Sequence, residues 1–387
     1  MRKSTVNLRA WFGTLIVGAI LCSQASADDW QLYRYEGRDY ISLDNLATFY
    51  GFPPPPPNIT PPAGAPAVNA IPLPVAKAPA PATEEAVSEA AQPAPAPGSG
   101  ITLDNSRCQL TFTPNSRLSQ INGVTQWLAF APIVQNGKLL LSRVDLSKTI
   151  EPRLRPEKAQ GLSPVTTVVL DPGHGGHDHG AVSRYGFEKD FALDVALHMK
   201  PILEKAGFKV VMTRAADIFI PLHERAALAN QTTDSIFVSI HFNSATSNAA
   251  ARGFEIYSCA PRGAPATNDP AFSMRDFRDE PGNAVDVPSA VLSGAMFNSL
   301  LGHVPLPDRG IKHARFAVLR LCTRPAVLVE CGFLSNEDDS GLAALPSWRT
   351  QVADALVTGI QNYKELAEQH VAPKMMADYR KDTAPQP

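Results

Sequence analysis

Cysteine is scarce, with 5 in 387 residues, charged residues make up only 19%, and neither sign dominates: 35 Lys and Arg face 37 Asp and Glu, for a net charge of −2. Near-neutrality gives no support to a nucleic-acid binder, which needs a basic face to meet phosphates. So few cysteines, with no Cys-x-x-Cys pair, exclude a small disulfide-stapled scaffold. Beyond residue 22 no apolar stretch is read as long enough to span a bilayer, which takes about 20 residues. What is present is a hydrophobic fraction of 44%, enough to bury a core. The length leaves room for two domains of roughly 100–200 residues, or one large domain with appendages. Proline is plentiful at 35, but 15 of these fall between Pro53 and Pro97, so the excess is local.

The N-terminus carries Arg2, Lys3 and Arg9, then an apolar run over residues 10–22, then Ala25-Ser26-Ala27. A basic start, a short apolar stretch and a small-x-small site predict a secretory signal peptide over residues 1–27, cleaved after Ala27. The mature chain is then exported, to the periplasm or to the exterior and the cell wall, with no transmembrane segment. Leu21 before Cys22 is a poor fit to a lipoprotein site, so no lipid anchor is expected. Four cysteines remain: Cys108, Cys259, Cys322 and Cys331. An oxidising compartment permits disulfides among them, and buried free thiols fit equally well. No pairing follows.

Residues 28–52 read as a first piece of a small folded unit, with a Gly37 turn, Tyr40-Ile41-Ser42-Leu43, and a short helix capped by Ser42 and ended by Gly51. Residues 53–100 are Pro/Ala-rich and read as a disordered linker or insertion. Residues 101–150 alternate apolar and polar side chains, with turn signals at Asn122-Gly123 and Asn136-Gly137, and read as a small β-rich unit. The two pieces look like halves of one module. The segment Gly37-Arg38-Asp39-Tyr40-Ile41-Ser42-Leu43 resembles the start of the amine-oxidase-N-terminal-like modules of bacterial envelope proteins, which implies a binding or stalk role. Residues 165–367 read as the main domain. Strands are expected over 165–171, 208–213, 235–241, 253–258, 316–321 and 326–330. Helices are expected over 188–206, 222–230, 288–301 and 348–368. Strands alternating with helices predict an α/β fold with a mostly parallel sheet covered on both faces. Residues 371–387 read as a disordered tail.

Four polar residues sit where such a sheet binds ligands, outside the carboxyl ends of its strands. His174 follows the first strand in Asp171-Pro172-Gly173-His174-Gly175-Gly176. Glu188 opens the first long helix, His241 ends a buried strand, and Glu330 ends the last. Two imidazoles and a carboxylate form a zinc set that leaves one position for water. A second carboxylate must then move protons. Glu330 suits that task, because Val327, Leu328 and Val329 make its surroundings apolar. Asp171 is expected to orient a histidine ligand. His177 and His179 read as exposed loop residues, His198 as surface or core rim, and His313 as a possible cleft residue. The sequence assigns no role to His223, His303 or His370.

Six motifs then occur in one order: 169–176, with Asp-Pro-Gly-His-Gly-Gly at its core; Gly186-Phe187-Glu188-Lys189-Asp190; Val238-Ser239-Ile240-His241-Phe242-Asn243; Arg252-Gly253-Phe254-Glu255-Ile256-Tyr257; Asp308-Arg309-Gly310-Ile311-Lys312; and 329–336, opening on Val-Glu-Cys-Gly. Together they resemble the zinc-dependent N-acetylmuramoyl-L-alanine amidases of bacterial cell walls, over about 200 residues. The resemblance implies a three-layer α/β/α domain around a six-stranded sheet and Zn²⁺ held by His174, Glu188 and His241. It also implies Glu330 as the catalytic acid/base and peptidoglycan as partner and substrate. The bond cut would join N-acetylmuramic acid to L-alanine, in wall remodelling or daughter-cell separation. A zinc peptidase or deacetylase acting on another wall bond is the alternative. His177 and His179 depart from the Lys and Pro often seen there, and Phe242 from the usual Ala, which places Phe242 as a candidate cleft-wall residue.

Two expectations concern regulation and modularity. Residues 260–287 are long, charged and irregular, and leave a strand end, so they are a candidate gate over the site. All four site residues lie after residue 165, so a chain beginning near Glu157 is expected to fold and cleave small fragments. The sequence is silent on a protein activator and on oligomeric state.

Overall fold

The computed structural model describes residues 30–60, 100–245, 247–269 and 272–369. The signal segment, most of the proline tract, His370 and the tail lie outside the described residues.

On the N-terminal side of the proline tract lie β1 (Leu32–Tyr35), β2 (Arg38–Ser42) and α1 (Leu43–Tyr50). Ser42 caps α1 by accepting from the Asn45 amide, and Gly51, at φ +70°, ends it. Beyond the tract come β3 (Ile101–Asp104), β4 (Gln109–Phe112), β5 (Leu118–Ile121), β6 (Val124–Trp127), β7 (Ile133–Gln135) and β8 (Lys138–Ser142). The two stretches share a sheet: β2 pairs antiparallel with β8, Tyr40 opposite Ser142, in the order β1-β2-β8-β7. Leu43, Leu46, Phe52, Leu110, Phe112, Leu139, Leu141 and Ile150 form their common core. A helical passage follows, with α2 (Arg143–Asp145), one π-turn over Leu146–Ile150 and α3 (Glu151–Leu154).

The main domain opens with β9 (Thr167–Pro172), a β-branched run buried throughout. The hairpin β10 (Val182–Ser183) and β11 (Gly186–Phe187) leads into α4 (Glu188–Lys205), whose Phe191, Val195, Met199 and Leu203 share one buried stripe. Then come β12 (Lys209–Met212), α5 (Leu222–Gln231), β13 (Ser235–Asn243), β14 (Phe254–Cys259) and α6 (Asp286–His303). The chain closes with β15 (Asp308–Ala314), α7 (Ala317–Arg320), β16 (Ala326–Phe333), α8 (Glu337–Ala343) and α9 (Pro346–Gln369).

Side chains alternate across strands, and this sorts the sheet into two faces. Val168, Leu170, Ile236, Val238, Ile240, Phe254, Ile256, Val327 and Val329 meet α4, α6 and α9 in the largest core. Val169, Phe237, Tyr257 and Leu328 meet Ala226 and Ala229 of α5 and Val318 and Leu319 of α7. The domain is therefore three-layered, with a thin second helical layer of two short helices.

Among the described residues the six-stranded sheet expected of the main domain is present and is extended to ten strands, in the order β12-β9-β13-β16-β14-β15-β6-β5-β4-β3. Six belong to the main domain and four extend it from the N-terminal unit. Among its six main-domain strands every pairing is parallel except β14 with β16. The extension is a built junction. Ile311 pairs with Gln126, whose side-chain amide donates to Ile311 O at 3.2 Å. Thr125 N donates to Asp308 at 2.9 Å, Trp127 Nε1 donates to Arg309 O at 3.1 Å, and Val124 joins the main core. The Arg153 guanidinium fills the space that a Cβ at Gly294 of α6 would need. In a chain beginning near Glu157 the β15 edge and part of α6 would therefore face water.

Three expectations change. Residues 316–321 form α7 rather than a strand, and the strand is β15, seven residues earlier. A short apolar run fits a buried helix as well as a strand, while β15 hid behind its buried Lys312 and His313. One helix, Pro281–His303, is long and apolar enough by length and composition to cross a membrane, but most of it is buried as the core helix α6. The segment 260–287 cannot gate the ends of β9, β13 and β16. β14 runs against β16, with Glu255 opposite Glu330 and Tyr257 opposite Leu328, so the chain leaves β14 at the far end of the sheet. There Arg117 donates to Thr267 O and Ala266 O at 3.1 and 3.2 Å, and Arg38 stacks on Phe272 at 4.6 Å.

Candidate metal centre

His174, Glu188 and His241 offer ligand atoms that lie within 4.8 Å of one another. Each comes from a different element. His174 sits in the loop after β9 at φ +59°, a left-handed conformation that costs energy for a non-glycine residue. Two buried arginines hold that loop. Arg214 Nε donates to Pro172 O at 3.0 Å and its Nη2 to Gly173 O at 2.6 Å. Arg225 Nη1 donates to Pro172 O at 2.8 Å and its Nη2 to His174 O at 2.7 Å. Gly173 is required for space, since a Cβ there would stand 2.5 Å from His241 Nε2. Gly180, at φ +64°, does the same beside Glu188 Oε2 and His174.

Glu188 stands at the start of α4, where the helix dipole favours a carboxylate. Its Oε1 lies 3.1 Å from His174 Nε2 and 2.9 Å from His241 Nδ1, and it accepts from Phe242 N at 3.0 Å. Its Oε2 accepts from Ala181 N at 2.7 Å. Burial disfavours the Glu188 carboxylate, but hydrogen bonds from His174 and His241 outweigh it and hold its pKa low. Burial likewise opposes charge on His174, yet Glu188 and Asp178 raise its pKa to about 9. These imidazole–carboxylate contacts are the ones a divalent cation replaces, because ligands bind metal without their protons.

Asp178, not Asp171, orients a histidine: its Oδ2 lies 2.8 Å from His174 Nδ1. A carboxylate on the far nitrogen fixes the tautomer and aims the near one. Asp171 is fully buried and instead takes Arg225 Nη1 at 2.9 Å and the Thr213 and Ser239 hydroxyls, each at 2.7 Å. The signal for Asp178 was its position four residues after His174 in a glycine-rich loop. The arginine clamp had no signal in sequence.

Glu330 sits on β16 level with His241 of β13. It is 6% exposed, and its Oε2 meets no hydrogen-bond partner among the described residues. Burial, then the charges of Glu188 and Glu255, push its pKa well above the usual carboxylate range, with Lys312 opposing. Beside it lies a network that sequence reading missed. Glu255, wholly buried, accepts from Tyr257 OH at 2.6 Å, Arg309 Nε at 2.5 Å, Lys312 Nζ at 2.8 Å and Asn243 Nδ2 at 3.4 Å.

The remaining candidates fall elsewhere. Phe242 packs with Phe191 and Trp348 on the opposite face of the sheet and is no cleft wall. His313 is buried away from the cleft, between Thr149 Oγ1 at 3.3 Å and Ser258 Oγ at 3.2 Å. His198 and His303 bond to carbonyls one turn back in their own helices. His177 meets Phe219 at a tilt and His179 stacks on Phe187. Cys108, Cys259, Cys322 and Cys331 are free thiols.

The donor set fits zinc in kind: two imidazoles and a carboxylate, an oriented second nitrogen, and a buried carboxyl with an unmet oxygen alongside. A family model described as N-acetylmuramoyl-L-alanine amidase matches residues 168–362. The chain is 34% identical over 207 residues to the uncharacterized protein YqiI of Bacillus subtilis (strain 168), covering 53% of this chain and 89% of that one. It is 30% identical over 275 residues to the N-acetylmuramoyl-L-alanine amidase AmiA of Escherichia coli (strain K12), covering 65% and 94%. Among solved structures, the catalytic domain of CwlV from Bacillus (Paenibacillus) polymyxa var. colistinus is 31% identical over 52% of this chain and 99% of its own, at a TM-score of 0.44.

Proposed function

The chain belongs to the N-acetylmuramoyl-L-alanine amidase family and acts on peptidoglycan, and we propose that it does so as a zinc-dependent hydrolase exported to the envelope. His174, Glu188 and His241 would hold the ion. Zinc in such a set lowers the pKa of a water and polarises a carbonyl. The rest falls to the chain. Asp178 keeps His174 in register, and the arginine clamp holds the strained loop that carries it. Glu330 takes the proton from the attacking water and delivers it to the leaving nitrogen of L-alanine. Its burial keeps the carboxyl able to bind a proton near neutrality, which an exposed glutamate is not.

The observation that carries this reading is the unmet Oε2 of Glu330, level with His241 of the three converging ligand residues. A buried carboxyl oxygen without a partner beside a set of metal-ligating side chains calls for a ligand or a reaction that uses it. The basic and apolar N-terminus supports export, and wall attachment is the role proposed for residues 30–154. Digestion of purified sacculi followed by mass spectrometry tests the activity. The expected products are stem peptides with a free amino-terminal L-alanine, lost on chelation and restored by Zn²⁺. A different new terminus would point to a peptidase or deacetylase. Full turnover by metal-free protein would overturn the zinc assignment.

A further inference from the structure

Eleven large apolar side chains stand out as exposed among the described residues, and six of them flank the metal centre: Val182, Tyr185, Phe187, Ile218, Phe219 and Leu222. Both stretches are anchored to the donors. Phe187 immediately precedes Glu188, and the backbone of Ile218 and Phe219 lies so close to Gly175 and Gly176 that neither glycine could carry a Cβ without a clash. Exposed apolar patches of this kind mark ligand grooves.

Two of these rings are dressed by histidines. His179 stacks on Phe187 with centroids 4.5 Å apart and planes 22° apart. His177 meets Phe219 at 4.3 Å and 38°. Asp178 between them holds His174, so one ring pair departs from each side of the residue that aims a donor. Phe187 and Phe219 remain 36% and 37% exposed. The cations of this rim are engaged: Arg184 by Glu337 and Lys189 by Asp217, each at 2.7 Å.

The geometry points to a saccharide subsite: the pairs His179–Phe187 and His177–Phe219 take pyranose rings of the glycan strand next to the muramoyl residue whose amide is cut. This rests on the amidase reading, in which the bond cut places a muramoyl sugar beside the centre. A pyranose presents a face of C–H groups, which packs on the flat, slightly negative face of an aromatic ring. A stem peptide with free carboxylates would call for cations, and those of the rim are already paired. Few charges and several flat apolar surfaces suit a neutral ring instead.

The test uses the full, zinc-loaded chain and peptide-free glycan strands, whose binding by calorimetry needs no turnover. Phe187→Ala, Phe219→Ala and the double variant are compared, with zinc content measured because Phe187 adjoins Glu188. The double variant should bind glycan about tenfold or more weakly, while its zinc stays stoichiometric. On polymeric substrate its KM should rise by a similar factor, with kcat falling less. Equal glycan affinity in the double variant, or no glycan binding by the unmodified chain, would overturn the subsite. Loss of affinity for free stem peptide instead would make the rim a peptide platform. Failure of the amidase reading shows separately, as no free amino-terminal L-alanine released by the unmodified chain.

Discussion

The two faces of the central sheet are made by the same strands and built on opposite terms. One face is sealed: Val168, Val238, Ile256 and Val329 meet three long helices in the largest apolar core. The other carries Asp171, Ser239, His241, Glu255, Lys312 and Glu330 beneath two short helices. A buried charge is tolerable only with partners. Asp171 has an arginine and two hydroxyls, and Glu255 has four donors. Glu330 keeps one oxygen without any, among the described residues. The sealed face is thus where stability resides, and the unmet group on the polar face is where chemistry is expected.

The largest effect expected from this contrast falls on that one oxygen. Glu330→Gln keeps the shape of the side chain and removes its ability to carry a proton. Turnover should fall roughly 10²–10⁴-fold, the range for a positioned acid/base, while the protein folds and binds zinc near stoichiometrically. Glu188→Gln should instead weaken zinc binding, because an amide is a poor substitute for an anionic ligand. Metal content measured beside turnover separates the two. If the Glu330 variant loses metal and the Glu188 variant keeps it, the roles are reversed.

Sequence exposed much of this division and hid the rest for a physical reason. His174, Glu188, His241 and Glu330 were legible because each sits at a strand end or helix start, and they occur within motifs of fixed order. The sealed face was legible as continuous β-branched runs. Asp178 holds the place expected of Asp171, since both are aspartates near one loop and only folding shows which reaches Nδ1 of His174. The gate assigned to residues 260–287 failed because strand direction is invisible in a sequence: β14 reads the same parallel or antiparallel, yet its direction decides which end of the sheet its loop leaves. The junction with the N-terminal unit was missed because one edge pairing, Ile311 with Gln126, leaves no periodic signal.

A matched pair of substitutions sharpens the contrast at a smaller scale. Phe297, wholly buried in α6 on the sealed face, packs on Phe254 with centroids 4.9 Å apart. Phe297→Ala should lower unfolding free energy by about 3–5 kcal/mol and leave zinc affinity within about twofold. Arg225→Met, on the polar face, strands Asp171 and should cost a similar 3–5 kcal/mol, roughly. It should also weaken zinc about 10–100-fold, because His174 O loses its clamp. Arg225→Lys keeps the charge without the fork that spans several carbonyls, so it covers the case in which the Met variant does not fold. Denaturant melts on metal-free protein give the first quantity and competition with a chelating dye the second. Equal zinc affinity in both variants would dissolve the distinction between the faces.

The smallest effect concerns a histidine that the polar face does not own. His313 lies on the sealed side, 3% exposed, between Thr149 of the N-terminal unit and Ser258 of β14. Burial, then the charges of Arg117 and Arg315, depress its pKa to about 4. Because the folded-state value lies below the unfolded one, the unfolded chain takes the proton first. The stability contributed is full above about pH 6.5 and is lost as pH falls toward 4. The loss attributable to this residue should be about 2 kcal/mol at pH 5 relative to pH 8. Melting midpoints across that range, for the unmodified chain and His313→Asn, isolate it: groups elsewhere titrate in both proteins and cancel in the difference. A flatter pH dependence in the variant is expected. Identical curves would mean that acid weakens the molecule somewhere other than the seam where the two units share their sheet.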